Sequence, residues 1–257
     1  MSYVNGDTGC GSAAKATTAN RIKTITGVLQ HPNCRGRAGV PFPQALAPWV
    51  GIDGARAQNS ILQAGTTCAV DDTSGKVNNF AWMQWLPANS MMVNNFPVKA
   101  GDFVKVTIET SSTTSAKMYV PSLLLSPSYL LSYFLTFLST YPHSIPPMVG
   151  RCLEINLLII TCNRTMENLS QGYANVLRLN NSPTPISGID AVWLIESPVL
   201  NGQIVKLPKY DELWIQDASA TLMDGKKLGI LGALQYQMTG QCKSQEYDDS
   251  TVSFTFP

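Results

Sequence analysis

Over "GDFVKVTIET" Val104, Val106 and Ile108 fall on one side of an extended backbone and Lys105, Thr107 and Glu109 on the other, directly after a Gly101-Asp102 turn. That period of two predicts a half-buried antiparallel strand. "STVSFTF" repeats the pattern, with Val252, Phe254 and Phe256 against Ser253 and Thr255. "DELWIQDASATL" runs between Asp211 and the turn-like Met223-Asp224-Gly225. No window of comparable length carries a capped helical stripe. Short strands separated by turns rich in Gly, Asn, Asp and Pro predict an all-β fold, a two-sheet antiparallel β-sandwich. A chain of 257 residues with 44% hydrophobic residues can bury such a core as one domain, 1–257.

One stretch breaks the texture. "SLLLSPSYLLSYFLTFLSTYPHSIPPMVG", Ser122 to Gly150, contains no Asp, Glu, Lys or Arg. Its length would allow a membrane span, but Pro127, Pro142, Pro146 and Pro147 interrupt it, and a span there would place neighbouring strands of one sandwich on opposite sides of a bilayer. As an ordered loop it would expose a sticky patch of Leu, Phe and Tyr. Leu, Ser, Phe, Pro and Tyr are what pyrimidine-rich codons encode. Residues 121–163 are therefore predicted to be a translated intron or disordered insertion outside the mature fold, which would make Cys152, Cys162 and His143 artefacts of the gene model.

The formal charge of +1, without a Lys/Arg run, gives no electrostatic reason to expect nucleic acid or an acidic membrane as partner. Met1 to Lys15 holds no basic segment followed by an apolar one, so either the protein is intracellular or its true start lies upstream. Three glycosylation sequons, at Asn163, Asn168 and Asn180, lean towards secretion. The six cysteines, Cys10, Cys34, Cys68, Cys152, Cys162 and Cys242, show neither a CxxC pair nor metal-ligand spacing.

Histidine, the usual acid/base residue, occurs only at His31, in the turn-like "HPNCRG", and at His143; both read as incidental loop residues. Two other polar side chains stand among apolar neighbours. If Ser60 to Ala64 is extended, Gln63 shares a face with Ile61 while Leu62 points the other way. In "DAVWLIESP", Glu196 lies in line with Val192 and Leu194, opposite Trp193 and Ile195. Pattern alone also allows Gln63 to be a hydrogen-bonded interior amide and Glu196 a solvated strand end before Pro198.

Taken together these segments resemble the glutamic endopeptidases (eqolisins), acid proteases once grouped with pepstatin-insensitive aspartic peptidases. "WVGIDG" followed by "ILQAG" is similar to the family's first active-site block, with Gln63 at the catalytic glutamine. "FAWMQWLP" resembles the aromatic strand lining the cleft. "AVWLIESP" resembles the block that ends in the catalytic glutamate, which falls on Glu196. "VKAGDFVKVTIETSSTTSA", "MENLSQG" and "DASATLMDGKKLG" look like further family strands in the family's order, so that the resemblance runs from about Ile25 onward. It implies a sandwich of concanavalin-A-like architecture, polypeptide substrates, secretion, a monomer, and no metal or organic cofactor. Trp49, Asp53, Trp82 and Gln84 are the expected substrate-binding residues of the cleft.

Chemistry makes sense of the implied dyad. A glutamate with an unperturbed pKa of about 4.3 exchanges protons in acid, where histidine would stay an imidazolium. A glutamine N–H can stabilise the oxyanion at any acidity, worth roughly 3 kcal/mol of barrier. The chain departs from the family at Gln84 and Val192, where glutamates are usual, and at Leu86, often tyrosine. Some members also bridge two loops by a disulfide at the positions of Ala57 and Ser187, so both halves are missing together. The rival expectation is an inactive sandwich that binds peptide or glycan.

Overall fold

The computed structural model describes residues 3–5, 8–119, 166–200 and 202–257. Among these the regular structure is all strand, in two large sheets. The first runs β1 (Tyr3–Asn5), β18 (Leu234–Gln237), β2 (Gly9–Lys15), β13 (Asp190–Glu196), β4 (Gln44–Ile52), β5 (Leu62–Val70), β6 (Val77–Trp85) and β7 (Met91–Met92). The second runs β11 (Tyr173–Asn175), β10 (Met166–Asn168), β8 (Phe103–Thr110), β3 (Ile22–Gln30), β16 (Leu213–Leu222), β20 (Thr251–Thr255) and β19 (Lys243–Asp248). Beside it, β9 (Ala116–Tyr119) pairs with β8, β12 (Leu177–Leu179) with β9, and β17 (Lys227–Leu228) with β16; β14 (Val199–Leu200) and β15 (Gln203–Ile204) form a separate hairpin. Pairing is antiparallel except between β1 and β18. The all-β, two-sheet antiparallel sandwich expected from alternation is the fold observed.

The sheets pack through one core. Val104, Val106 and Ile108 of β8 are fully buried in it, as are Val252 and Phe254 of β20. Each such side chain contributes roughly 1.5–3 kcal/mol by leaving water. Trp193 of β13 is also fully buried there, and its indole N–H donates to Thr26 O on β3, 2.8 Å away, tying the sheets at their middle. Strands β4 and β5 are buried at every position. Both faces of these central strands are covered, which is why "QALAPWVGI" and "LQAGTTCAV" lack the alternation of the outer strands.

Two disulfides join the layers: Cys10 of β2 to Cys242, which precedes β19, and Cys34, beyond β3, to Cys68 of β5. Their Cα atoms are 6.2 and 6.3 Å apart. His31 is no incidental loop residue. It is buried, with Nδ1 2.9 Å from Thr66 Oγ1 and Nε2 2.9 Å from Asn79 Oδ1, and it stitches the end of β3 to β5 and β6. The Asn168 sequon is likewise structural: its amide is buried and donates to Pro97 O and Asp102 Oδ2, while Asn180 is exposed. Asn163, His143 and the uncharged stretch lie outside the described residues.

Strands β9 and β10 share one edge of β8 in an unbroken register. Tyr119, the last residue of β9, is opposite Thr107, and Met166, the first of β10, is opposite the next residue along, Val106. Residues 120–165 thus fall between two neighbouring positions of one strand line.

Candidate active site

Register places the predicted residues on a grid across the outer face of the first sheet. One row is Gly9, Glu196 and Ala47; the next is Gly11, Leu194, Trp49, Gly65 and Trp82; the third is Ala13, Val192, Gly51, Gln63 and Gln84. Because side chains alternate along each strand, all of these face away from the core that holds Trp193, Ile195 and Leu62. The rows form a cleft of about 630 Å³, walled by Ile61, Leu86, Val199 and Tyr236. Glycine makes room for it. A Cβ on Gly65 would lie 2.3 Å from Pro48 O and 2.7 Å from the Trp49 Cβ, and one on Gly51 would lie 2.8 Å from the Trp49 ring and 3.0 Å from the Gln63 Cβ. Any side chain at either position would displace Trp49, the residue between Glu196 and Gln63 on the grid.

Glu196 ends β13 with its carboxyl in this cleft, half-buried, between Gly9 and Ala47. It is not the freely solvated strand end that pattern alone allowed. Burial pushes its pKa from the ordinary 4.5 up to about 7, and only the Trp49 indole pulls it back. The Trp49 N–H faces the carboxyl without reaching full hydrogen-bond geometry, since its Nε1 has no formed partner. Among the described residues four buried side-chain polar atoms lack a partner. Two of them, Trp49 Nε1 and Gln63 Oε1, belong to cleft residues, and a third, Ser197 Oγ, follows Glu196 in the chain. Unmet hydrogen-bonding capacity is rare in folded proteins, and here it gathers at one place.

Gln63 donates from Nε2 to Gln84 Oε1 at 2.9 Å, and Gln84 donates from Nε2 to Ala88 O at 3.0 Å. This leaves Gln63 with one free N–H and a free carbonyl oxygen. Beyond it, the Trp82 indole N–H donates to Thr67 Oγ1 at 2.8 Å, which fixes the ring in the wall.

Asp53 corrects one expectation. It does not line the cleft; it is fully buried just past β4, with a positive φ of 68°, and its carboxylate is occupied. Oδ2 accepts from the backbone N–H of Ser187 and Gly188 at 2.6 and 2.9 Å, and Oδ1 from Ile189 and Asp190 at 2.9 and 3.3 Å. Burial raises its pKa, and those backbone N–H groups oppose the rise. Asp190 returns the arrangement, accepting from the N–H of Arg56 and Ala57 and from the Arg56 guanidinium at 2.8 Å. The loops around Ala57 and Ser187, where a disulfide was expected in some relatives, are held here by two reciprocal buried carboxylates.

Sequence reasoning missed several wall residues. Tyr236 arrives from β18, and Thr8 and Gly9 from the start of β2. "GALQYQM" carries no signal that would mark Tyr236; only the strand order brings it there. Among the described residues no three His, Cys, Asp or Glu side chains stand close enough to hold a metal ion.

The peptidase A4 family model matches residues 7–123 and 161–256. The chain belongs to the peptidase A4 family. The match reaches further toward the N-terminus than the sequence resemblance did, taking in β2, and it passes over residues 124–160. Among curated proteins, this peptidase A4 family chain is 35% identical to aspergillopepsin-2 of Aspergillus niger over 75 residues, 29% of this chain and 26% of that protein. It is 28% identical to scytalidopepsin B of Scytalidium lignicola over 100 residues, 39% of this chain and 35% of that one. The matched stretches therefore span about a quarter and a third of those relatives. A solved structure of scytalido-glutamic peptidase with a transition state analog inhibitor superposes with a TM-score of 0.69 at 18% identity, covering 99% of this chain and all of that one. Aspergilloglutamic peptidase from Aspergillus niger superposes with a TM-score of 0.59 at 18% identity, covering 83% of this chain and 99% of that one. These likenesses place the fold.

Proposed function

We propose that the protein is an acid endopeptidase of the glutamic class, with Glu196 and Gln63 as its catalytic residues. The observation that carries this is their placement on one cleft face, one as a desolvated carboxyl and the other as an amide with free hydrogen-bonding positions. Ionised Glu196 takes a proton from water as the water oxygen bonds to the scissile carbonyl carbon. The free N–H of Gln63 donates to the oxyanion that forms. Glu196 then returns the proton to the amine as the C–N bond breaks, leaving a carboxylic acid and a free amine. The raised pKa makes the ionised carboxylate a stronger base, although it also makes that ionised fraction smaller in acid. Trp49, Trp82 and Gln84 stand where they can contact an extended polypeptide, and the tripeptide and transition state analogs bound to solved eqolisin structures support that substrate class.

Secretion, a concanavalin-A-like architecture of the sandwich and action as a monomer belong to the same reading. The two inter-sheet disulfides support an oxidising compartment. We also infer that the segment predicted at 121–163 is not part of the mature chain, best placed at 120–165. The adjacent register of Tyr119 and Met166 supports these bounds, and the family match passes over only 124–160 within them.

The test is a chain with Tyr119 joined to Met166, assayed on an unfolded protein at acidic pH with pepstatin present. Cleavage that Glu196→Gln alone abolishes is the expected result. A folded chain that cleaves nothing would favour the rival reading, a sandwich that binds peptide or glycan.

A further inference from the structure

The amide chain behind Gln63 has a direction. Ala88 O can only accept, so the Gln84 amide must turn its NH2 toward it and its Oε1 toward Gln63. Gln63 must then present its own NH2 to Gln84, as observed at 2.9 Å. Turning the Gln63 amide over would set two oxygens against each other. We propose that Gln84 is a positioning residue that fixes the polarity of the Gln63 amide, and that, because it cannot ionise, it leaves Glu196, among the described residues, as the one proton-exchanging group facing the cleft in acid and at neutrality.

The surrounding elements support this. Strands β4, β5 and β6 bring no titratable side chain into the cleft, β2 brings none, and β18 brings Tyr236, whose pKa burial raises further. Asp53, Arg56 and Asp190 stand at the other end of β13, held in the reciprocal clamp. His31 touches β5 through Thr66, on the face opposite Gln63. A carboxylate at position 84 would behave differently. Facing Ala88 O, it could hold the relay only while protonated, and two carboxyls in one cleft would titrate apart.

This inference rests on the peptidase reading, so its test has one arm that needs turnover and one that does not. In the first, kcat/KM of the chain lacking 120–165 is followed across the pH range in which it stays folded. The expected profile rises with unit slope, passes one inflection and levels off. Gln84→Glu should turn it into a bell by adding a descending limb. Gln84→Leu should keep one inflection but lower kcat up to about 100-fold, with KM changed less than about threefold. A descending limb in the unmodified chain, or a Gln84→Glu profile that keeps a single inflection, would overturn the proposal.

In the second arm, side-chain amide NMR follows Gln63 and Gln84 through the same titration. Both should shift with one common apparent pKa that vanishes in Glu196→Gln, and Gln84→Glu should add a second step. If the chain cleaves nothing but the amides behave this way, the peptidase reading fails and the relay stands. Two steps in the unmodified chain, or steps that survive Glu196→Gln, would refute the relay whatever the activity.

Discussion

His31 and Glu196 are both ionisable, both taken out of water by the same sheet, and both kept neutral by that burial, yet they do opposite things. Burial lowers His31 from 6.5 to about 4 and raises Glu196 from 4.5 to about 7. Both ring nitrogens of His31 are matched: Nε2 donates to Asn79 Oδ1, and Nδ1 accepts from the Thr66 hydroxyl. Around Glu196, Trp49 Nε1 and Gln63 Oε1 have no protein partner. A shifted pKa marks both places. Only the unmet hydrogen bonds distinguish a place built to receive a ligand from one built to hold strands together.

The two groups also oppose each other in stability. Between about pH 6.5 and 4 the unfolded histidine takes up a proton that folded His31 refuses, so stability contributed above 6.5 is lost as the pH falls. Between about pH 4.5 and 7 the unfolded glutamate releases a proton that folded Glu196 keeps, so stability present below 4.5 is lost as the pH rises. Over the shared window the two slopes cancel.

The largest expected effect is on turnover. Glu196→Gln should lower kcat/KM by about 1,000-fold or more, whereas His31→Leu should leave it unchanged in assays below the unfolding temperature. Equal losses in both would erase the distinction drawn between them. Next comes folding. His31→Leu leaves the buried Thr66 hydroxyl and the half-buried Asn79 amide without their partner and should cost about 2–4 kcal/mol in urea unfolding at pH 7. Asp53→Asn should cost a similar amount, about 2–4 kcal/mol, because an amide cannot accept four backbone N–H groups. Its kcat/KM should hold, and a selective loss of activity would return Asp53 to the cleft. A smaller effect lies in the pH dependence of unfolding. Glu196→Gln should unmask a stability that climbs with pH from about 4.5 to 6.5, and His31→Leu one that declines over that window, each by at most about 1.4 kcal/mol per pH unit. Two variants with the same sign of slope would disprove the assignment. Least affected should be Arg35→Ala, which breaks only the exposed pair with Asp211 and should leave the melting temperature within error.

Legibility in the sequence followed burial. Strand β8 is covered on one face only, so its alternation could be read directly. Strands β4 and β5, which carry Trp49 and Gln63, are covered on both sides and were found through their motifs instead. The division of "DAVWLIESP" into two faces was right, and it put Glu196 with Leu194 in the cleft and Trp193 in the core. Asp53 was misplaced because nothing local shows that four backbone N–H groups from a distant loop close around it. His31 was underrated for the same reason, since Thr66 and Asn79 reach it from two other strands.

By itself, then, the sequence determined the strand class and, through its resemblance, the family, because periodicity and motifs are properties of neighbouring residues. The tertiary structure alone decided which polar groups are satisfied. Strand order brings Tyr236 to the cleft, register sets Trp49 between Glu196 and Gln63, and the Asp53–Asp190 clamp holds the loops at Ala57 and Ser187. Those outcomes depend on hydrogen bonds and desolvation between residues far apart in the chain, and they exist only once the sheets have closed.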